Sequence, residues 1–145
     1  MFLDASAVVA IMTRERDADA LLAKVDASRS SIHYSSLTVF EAVIAIARKT
    51  AISLHGDQRP TPPKVIEEAQ ADVDRFLNSI GAVEIALSAG LHATALDAAK
   101  GYGRFVGHPA KLNFGDCFSY AAAKSLKVPL LFVGDDFAKT DVQIA

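Results

Sequence analysis

The chain has 145 residues, 51% of them apolar and 22% charged, which suits one domain with a sizeable core and excludes disorder or a collagen-like fibre. Lys and Arg total 15 against 17 Asp and Glu, a formal charge of −2, so no global positive field announces nucleic acid and any such contact has to be local. The one cysteine, Cys117, excludes an internal disulfide and a four-thiolate zinc site and makes a reducing cytoplasm the simplest compartment.

Met1 to Leu3 is short and apolar and is predicted to be a buried strand stopping at Asp4. No basic stretch precedes a long apolar segment, so no secretory signal is expected. Ala5 to Met12 is predicted helical, and Asp17 to Ala27 as a second helix with Ala18, Leu21, Leu22 and Val25 on one face. Ser31 to Tyr34 follows as a second strand. Ser35 and Ser36 are natural N-caps for an apolar helix running to about Lys49. Apolar runs such as Ala7 to Met12 and Ala42 to Ala47 stop at six residues, whereas a membrane span needs about 20. A soluble protein is expected.

Thr50 to Pro63 holds Gly56, Pro60, Pro62 and Pro63 and is expected to be a surface loop. Val65, Ala69, Val73, Phe76 and Ile80 trace one face of a long amphipathic helix that Gly81 ends. Ala82 to Ile85 is a third predicted strand, and Ser88 is placed to cap a helix extending to about Lys100. A polar, glycine-bearing loop from Gly101 to Asn113 leads to a helix over Gly115 to Leu126. Leu130 to Val133 is a fourth buried strand, and Val142 to Ile144 is a candidate fifth. Short apolar strands alternating with helices predict an α/β fold, a mostly parallel central sheet covered by helices.

Such sheets bind ligands beyond the carboxyl ends of their strands, and acids recur there. Asp4 follows the first strand, and Glu41 lies about one turn into the helix after the second. Asp116 opens the helix after the 101–113 loop, and Asp135 and Asp136 follow the fourth strand. Carboxylates brought together repel and take up protons unless something positive neutralises them, a need met by hard cations such as Mg²⁺ or Mn²⁺. Each acid also admits a purely local role. Asp4 can cap a helix, Asp116 can meet a helix dipole, Thr38 and Glu41 have capping-box spacing, and Gly134-Asp135-Asp136 can be a turn. Against the local role stands Glu41, which interrupts Val39-Phe40-Glu41-Ala42-Val43-Ile44, where burying an acid without a partner is costly.

Four stretches together resemble a PIN domain of the VapC-type toxins of bacterial toxin–antitoxin pairs. They are Phe2-Leu3-Asp4-Ala5-Ser6-Ala7, Ser35-Ser36-Leu37-Thr38-Val39-Phe40-Glu41-Ala42, the run from His108 to Ala121 around Asn113-Phe114-Gly115-Asp116, and Leu130-Leu131-Phe132-Val133-Gly134-Asp135-Asp136-Phe137 followed by Thr140-Asp141. The resemblance covers nearly the whole chain and implies a single PIN domain over 1–145, an α/β/α sandwich. It further implies an Mg²⁺- or Mn²⁺-dependent endoribonuclease acting at Asp4, Glu41, Asp116 and Asp136. Asp4 and Asp116 would be the main metal ligands, and Asp135 a possible additional acid. The resemblance also implies a homodimer in the cytoplasm, silenced by a cognate VapB-like antitoxin that threads a segment, often with an Arg, among the acids. The 50–63 loop is longer and richer in proline than this pattern leads one to expect.

RNA grip has to come from local charge. Arg104 and Lys111 in the 101–113 loop are the candidates, with His108 in the same loop, Tyr102 and Phe105 available for stacking, and Arg14 and Arg16 placed after the first helix. Asn113 can cap the last helix or orient Asp116. Gly101-Tyr102-Gly103-Arg104-Phe105-Val106-Gly107 is not a dinucleotide fingerprint, because a helix precedes it and the last glycine comes one residue late. His33, His55, His92 and His108 lack paired ligand spacing, and Cys117 is expected to be a packed thiol. Two rival readings are a haloacid-dehalogenase-like phosphatase and a non-catalytic module that binds nucleic acid or an antitoxin. The first needs a second Asp two residues after the nucleophile, where this chain has Ser6.

Overall fold

Four very short parallel strands carry the architecture, and the computed structural model describes all 145 residues. They are β1 (Phe2–Leu3), β2 (His33–Ser35), β3 (Val83–Ile85) and β4 (Leu130–Leu131), in the spatial order β3-β2-β1-β4. Phe2 pairs with His33 on one side and with Leu130 on the other, and Leu3 pairs with Leu131. Helices α1 (Ala5–Met12), α2 (Ala18–Asp26), α3 (Ser36–His55) and α4 (Pro63–Ser79) connect the first three strands, and α5 (Leu91–Tyr102) and α6 (Phe114–Leu126) precede the fourth.

Strand alternation assigns the two cores. Leu3 and Leu131 face one way and pack with Val8, Leu21, Val43, Ile46, Val73 and Leu77 from α1 to α4. Phe2 and Leu130 face the other way and pack with Leu91, Ala95, Ala98, Cys117 and Ala121 from α5 and α6. A fully buried Leu or Phe contributes roughly 1.5–3 kcal/mol relative to exposure, so two-residue strands persist because both faces are covered. The result is an α/β/α sandwich with an all-parallel sheet. The chain crosses from β3, at one edge, past β1 to β4 at the other, which puts a topological switch point between β1 and β4. A crevice at their carboxyl ends is the expected ligand position.

Several boundaries differ from the sequence reading. α3 runs on through Thr50 to His55, where Gly56 turns left-handed at φ 80° and its N–H reaches Ile52 O at 2.8 Å. Only the stretch from Gly56 to Pro62 is loop, because Arg48 ties it down by donating to the carbonyls of Asp57 and Arg59 at 2.5 and 2.7 Å. Pro63 opens α4, a position where its missing N–H costs nothing. α5 is capped by Gly90 in a left-handed conformation, not by the Ser88 side chain. The predicted loop from Gly101 contains the end of α5 and a 3₁₀ turn over Arg104–Val106. β4 stops at Leu131, short of Val133, and the candidate fifth strand is reduced to one parallel bridge between Leu130 and Ile144.

Candidate active site

Asp4 leaves β1 with its N–H on Leu131 O at 2.9 Å, so β4 fixes where the carboxylate begins. It caps α1 from an extended backbone, and Oδ2 accepts from Ser6 N at 2.9 Å and from Ser6 Oγ at 2.5 Å. Ser6 Oγ in turn accepts from Val133 N at 3.1 Å. Ser6 therefore joins the ends of β1 and β4 through one hydroxyl. Asp4 is both the helix cap and a lining group of the cavity beside it, so its local and functional readings are compatible.

α3 is started by a capping box, but not the one its sequence spacing offered. Ser35 pairs with Thr38, Thr38 N donating to Ser35 Oγ and Ser35 N to Thr38 Oγ1, each at 3.3 Å. Thr38 Oγ1 also donates to Leu3 O at 3.4 Å, seating the helix on β1. Glu41 is thereby released from capping and turns into the cavity. It lies so close to α6 that a Cβ on Gly115 would overlap its carboxylate. At α6, Asn113 N donates to Asp116 Oδ2 at 2.7 Å and Asp116 N to Asn113 Oδ1 at 3.1 Å. Asn113 thus caps the helix and orients Asp116 at once.

Asp4, Glu41 and Asp116 line one cavity of about 610 Å³, together with Ser6, Asn113 and Val133. None of the three acids takes part in an ion pair. Burial, then the charges of Asp4 and Asp116, push the Glu41 carboxyl up to about 7. Asp116 is pushed up to about 6, first by burial and then by Asp4 and Asp136, while the Asn113 N–H and Arg104 pull it back. These are carboxylates short of positive charge.

A model of the PIN domain family matches residues 1–143. The chain belongs to the PIN domain family. A VapC ribonuclease of Rhizobium meliloti is 38% identical over 141 residues, covering 97% of this chain and 98% of that protein. Ribonuclease VapC42 of Mycobacterium tuberculosis is 37% identical over 145 residues, covering 100% and 98%. The fold is similar to the crystal structure of Mycobacterium tuberculosis VapC20, described as a sarcin–ricin loop cleaving toxin, with a TM-score of 0.66 at 13% identity over 99% of this chain and 97% of that one. A toxin–antitoxin complex from Klebsiella pneumoniae gives 0.62 at 18% identity, covering 99% and 95%.

In this PIN domain the remaining predicted residues fall at different distances from the cavity. Asp136 is exposed and stands on the rim, outside the lining, where its charge still reaches Asp116. Asp135 is exposed beside it and neither lines the cavity nor acts on the buried acids. Arg104 sits on the 3₁₀ turn, close enough to stabilise the Asp116 charge. Lys111 is exposed and holds a left-handed backbone at φ 52°. Arg14 lines an adjoining concavity with Glu15. Tyr102 is half-buried against His108 and Tyr120, which removes it from stacking duty, while Phe105 is exposed. Cys117 is buried, and burial followed by the Asp116 charge pushes its thiol up, as suits a packed side chain.

The carboxylates do not form a closed cage: no three His, Cys, Asp or Glu side chains are arranged to hold an ion. The donor chemistry nonetheless fits a hard divalent cation. The candidate donor atoms are all carboxylate oxygens, Asp4 and Asp116 each use only Oδ2 in hydrogen bonds within the protein, and two raised acids would be eased by a neutralising charge. Besides Glu15 and the apolar residues Ala5, Val9, Ala45 and Val133, the cavity residues not anticipated from sequence are Ser6, Phe40, Ile44 and Arg48. Ser6 was findable as the hydroxyl two residues after a strand-end Asp. The others share one face of α3 with four-residue spacing.

Proposed function

We propose that this PIN domain is a metal-dependent endoribonuclease, the toxin of a VapBC-type pair, that hydrolyses RNA phosphodiesters at Asp4, Glu41, Asp116 and Asp136 in the cytoplasm. The observation that carries the reading is the convergence of Asp4, Glu41 and Asp116, from three separate elements, on one cavity without an ion pair among them. VapC ribonucleases that align along the whole chain support it.

Asp4 and Asp116 would hold Mg²⁺ or Mn²⁺, Glu41 completing the set from α3 and Asp136 adding charge from the rim. The bound cation would supply a more acidic water and offset charge developing on the scissile phosphate. The chain's own residues do the rest. Ser6 and the Asn113 N–H hold Asp4 and Asp116 each by one oxygen, so their carboxylates are fixed before substrate arrives. Water adds to phosphorus as the bond to the leaving ribose oxygen breaks, so no protein nucleophile is required. Arg104 and Lys111 attract the RNA backbone. The partners in this reading are the RNA, a VapB-like antitoxin that covers the acids, and a second copy of the chain.

The decisive experiment is incubation of the purified protein with cellular RNA, with Mg²⁺ or Mn²⁺ and with chelator. Cleavage is expected only with the ion, is expected to stop when the cognate antitoxin is added, and is expected to be lost in Asp4→Asn and Asp116→Asn while circular dichroism stays unchanged. Full activity in either variant sinks the assignment. An inert wild-type protein that still binds RNA or antitoxin would establish the non-catalytic alternative.

A further inference from the structure

α3 brings more than Glu41 to the cavity. Phe40, Ile44 and Arg48 line it as well, and their four-residue spacing makes one stripe along the helix, about 12 Å from end to end at ~1.5 Å per residue. Phe40 is 65% exposed and Ile44 40%, so neither contributes much to the core. At the far end, the Arg48 guanidinium donates to two loop carbonyls. Those bonds hold it in place without cancelling its charge, for Arg48 forms no ion pair. The nearby Glu15 is already taken by Lys49.

The cavity therefore presents, in order, an acidic end, a flat apolar ring backed by an aliphatic side chain, and a fixed cation. We propose that this stripe is a nucleotide subsite in which Phe40, backed by Ile44, stacks on the base adjoining the cleaved bond and Arg48 meets a flanking phosphate. The inference rests on the ribonuclease reading and deepens it, naming Phe40 as the residue that seats that base. A nucleotide has the matching parts, a planar apolar face and anions on either side of it, and base–aromatic stacking tolerates any base. Phe40 and Ile44 are the exposed apolar side chains of this cavity, its other apolar residues, Ala5, Val9, Ala45 and Val133, being buried or half-buried, so the apolar surface between the acids and Arg48 is nearer the size of a base than of a docked peptide helix.

The test is steady-state cleavage of short single-stranded oligoribonucleotides with Mg²⁺. Phe40→Ala is expected to raise KM about tenfold with little change in kcat. Phe40→Leu, which keeps the apolar bulk without the flat face, should behave like the alanine variant, and Phe40→Trp should restore KM. An abasic residue at the flanking position should cost wild type the same factor and Phe40→Ala almost nothing, because the two changes remove one interaction. Arg48→Ala should flatten the salt dependence of KM. Unchanged KM in both Phe40→Ala and Phe40→Leu overturns the subsite. So does loss of antitoxin binding at unchanged KM, which would make the stripe a protein-docking surface. If wild type cleaves none of the oligoribonucleotides, the ribonuclease reading itself fails; active wild type with indifferent Phe40 variants removes the subsite alone.

Discussion

Glu41 shows how a single side chain can register the state of the site. Its carboxyl is pushed from 4.5 up to about 7 by burial and by the charges of Asp4 and Asp116. Between those values the folded chain keeps a proton that the unfolded chain has released, so the stability it provides is present below about 4.5 and is lost as pH rises through 7. Glu41→Gln removes the charge at little change in shape. In chelator, the variant is expected to melt a few degrees above wild type at pH 8 and to approach it near pH 4, where Glu41 is mostly neutral in both the folded and the unfolded chain; thermal unfolding at the two pH values checks this. A gain of equal size at both would show that the charge is not what the fold resists. Asp141 is the opposite case. Tyr120 and Lys124 donate to it at 2.5 and 2.9 Å and hold it down to about 2, which fastens the segment after Asp136 to α6 across the neutral range.

At the scale of elements, the site depends on how closely α3 and α6 approach. Gly115 permits that approach, since any Cβ there would occupy the space of the Glu41 carboxylate. Gly115→Ala should leave the helix intact, alanine being the better helix former by about 1 kcal/mol, and should push the flexible end of Glu41 aside. Cleavage is expected to fall roughly a hundredfold in kcat, the scale associated with an ångström of misplacement, with an unchanged circular dichroism spectrum; rate measurements at saturating RNA read it. The elements themselves were largely legible. Apolar runs at Met1–Leu3 and Leu130–Val133, and the 3.6-residue pattern from Val65 to Ile80, announced strands and helix, though β4 itself stops at Leu131. The end of α3 was not legible, because Gly56 and three prolines drew the loop backward over residues that tertiary contacts keep helical: Ala51 is buried and Arg48 anchors the turn. Glu41 could be placed near the other acids from its position after β2. That Ser35 would take Thr38 as its capping partner and free Glu41 depends on how α3 sits against Leu3 O, which local spacing does not encode. Phe40 and Arg48 stayed hidden for a related reason: an apolar or basic residue on a helix acquires meaning only when the neighbouring element is known.

At the scale of the whole molecule, two cores of α1–α4 and α5–α6 sandwich one thin sheet, and the second leaves apolar surface uncovered. Leu96, Phe105, Val106 and Phe114 are each more than half exposed around a groove of about 500 Å³ between α5 and α6. This is the surface that the homodimer of the proposed function would bury, since an exposed apolar patch of this kind marks an interaction site. Wild type is expected to sediment at about twice the monomer mass, and Leu96→Glu, a change a surface helix accepts, as a monomer; equal masses for the two would place self-association elsewhere. The order of the strands has a different consequence. Val133 N donates to the Ser6 hydroxyl that holds Asp4, a contact spanning 127 positions of the chain, and Leu131 O receives the Asp4 N–H. A ribosome must therefore emit β4 before the acid at position 4 acquires its support. On the ribonuclease reading, the nascent polypeptide stays harmless to the message being translated until β4 has emerged and joined β1.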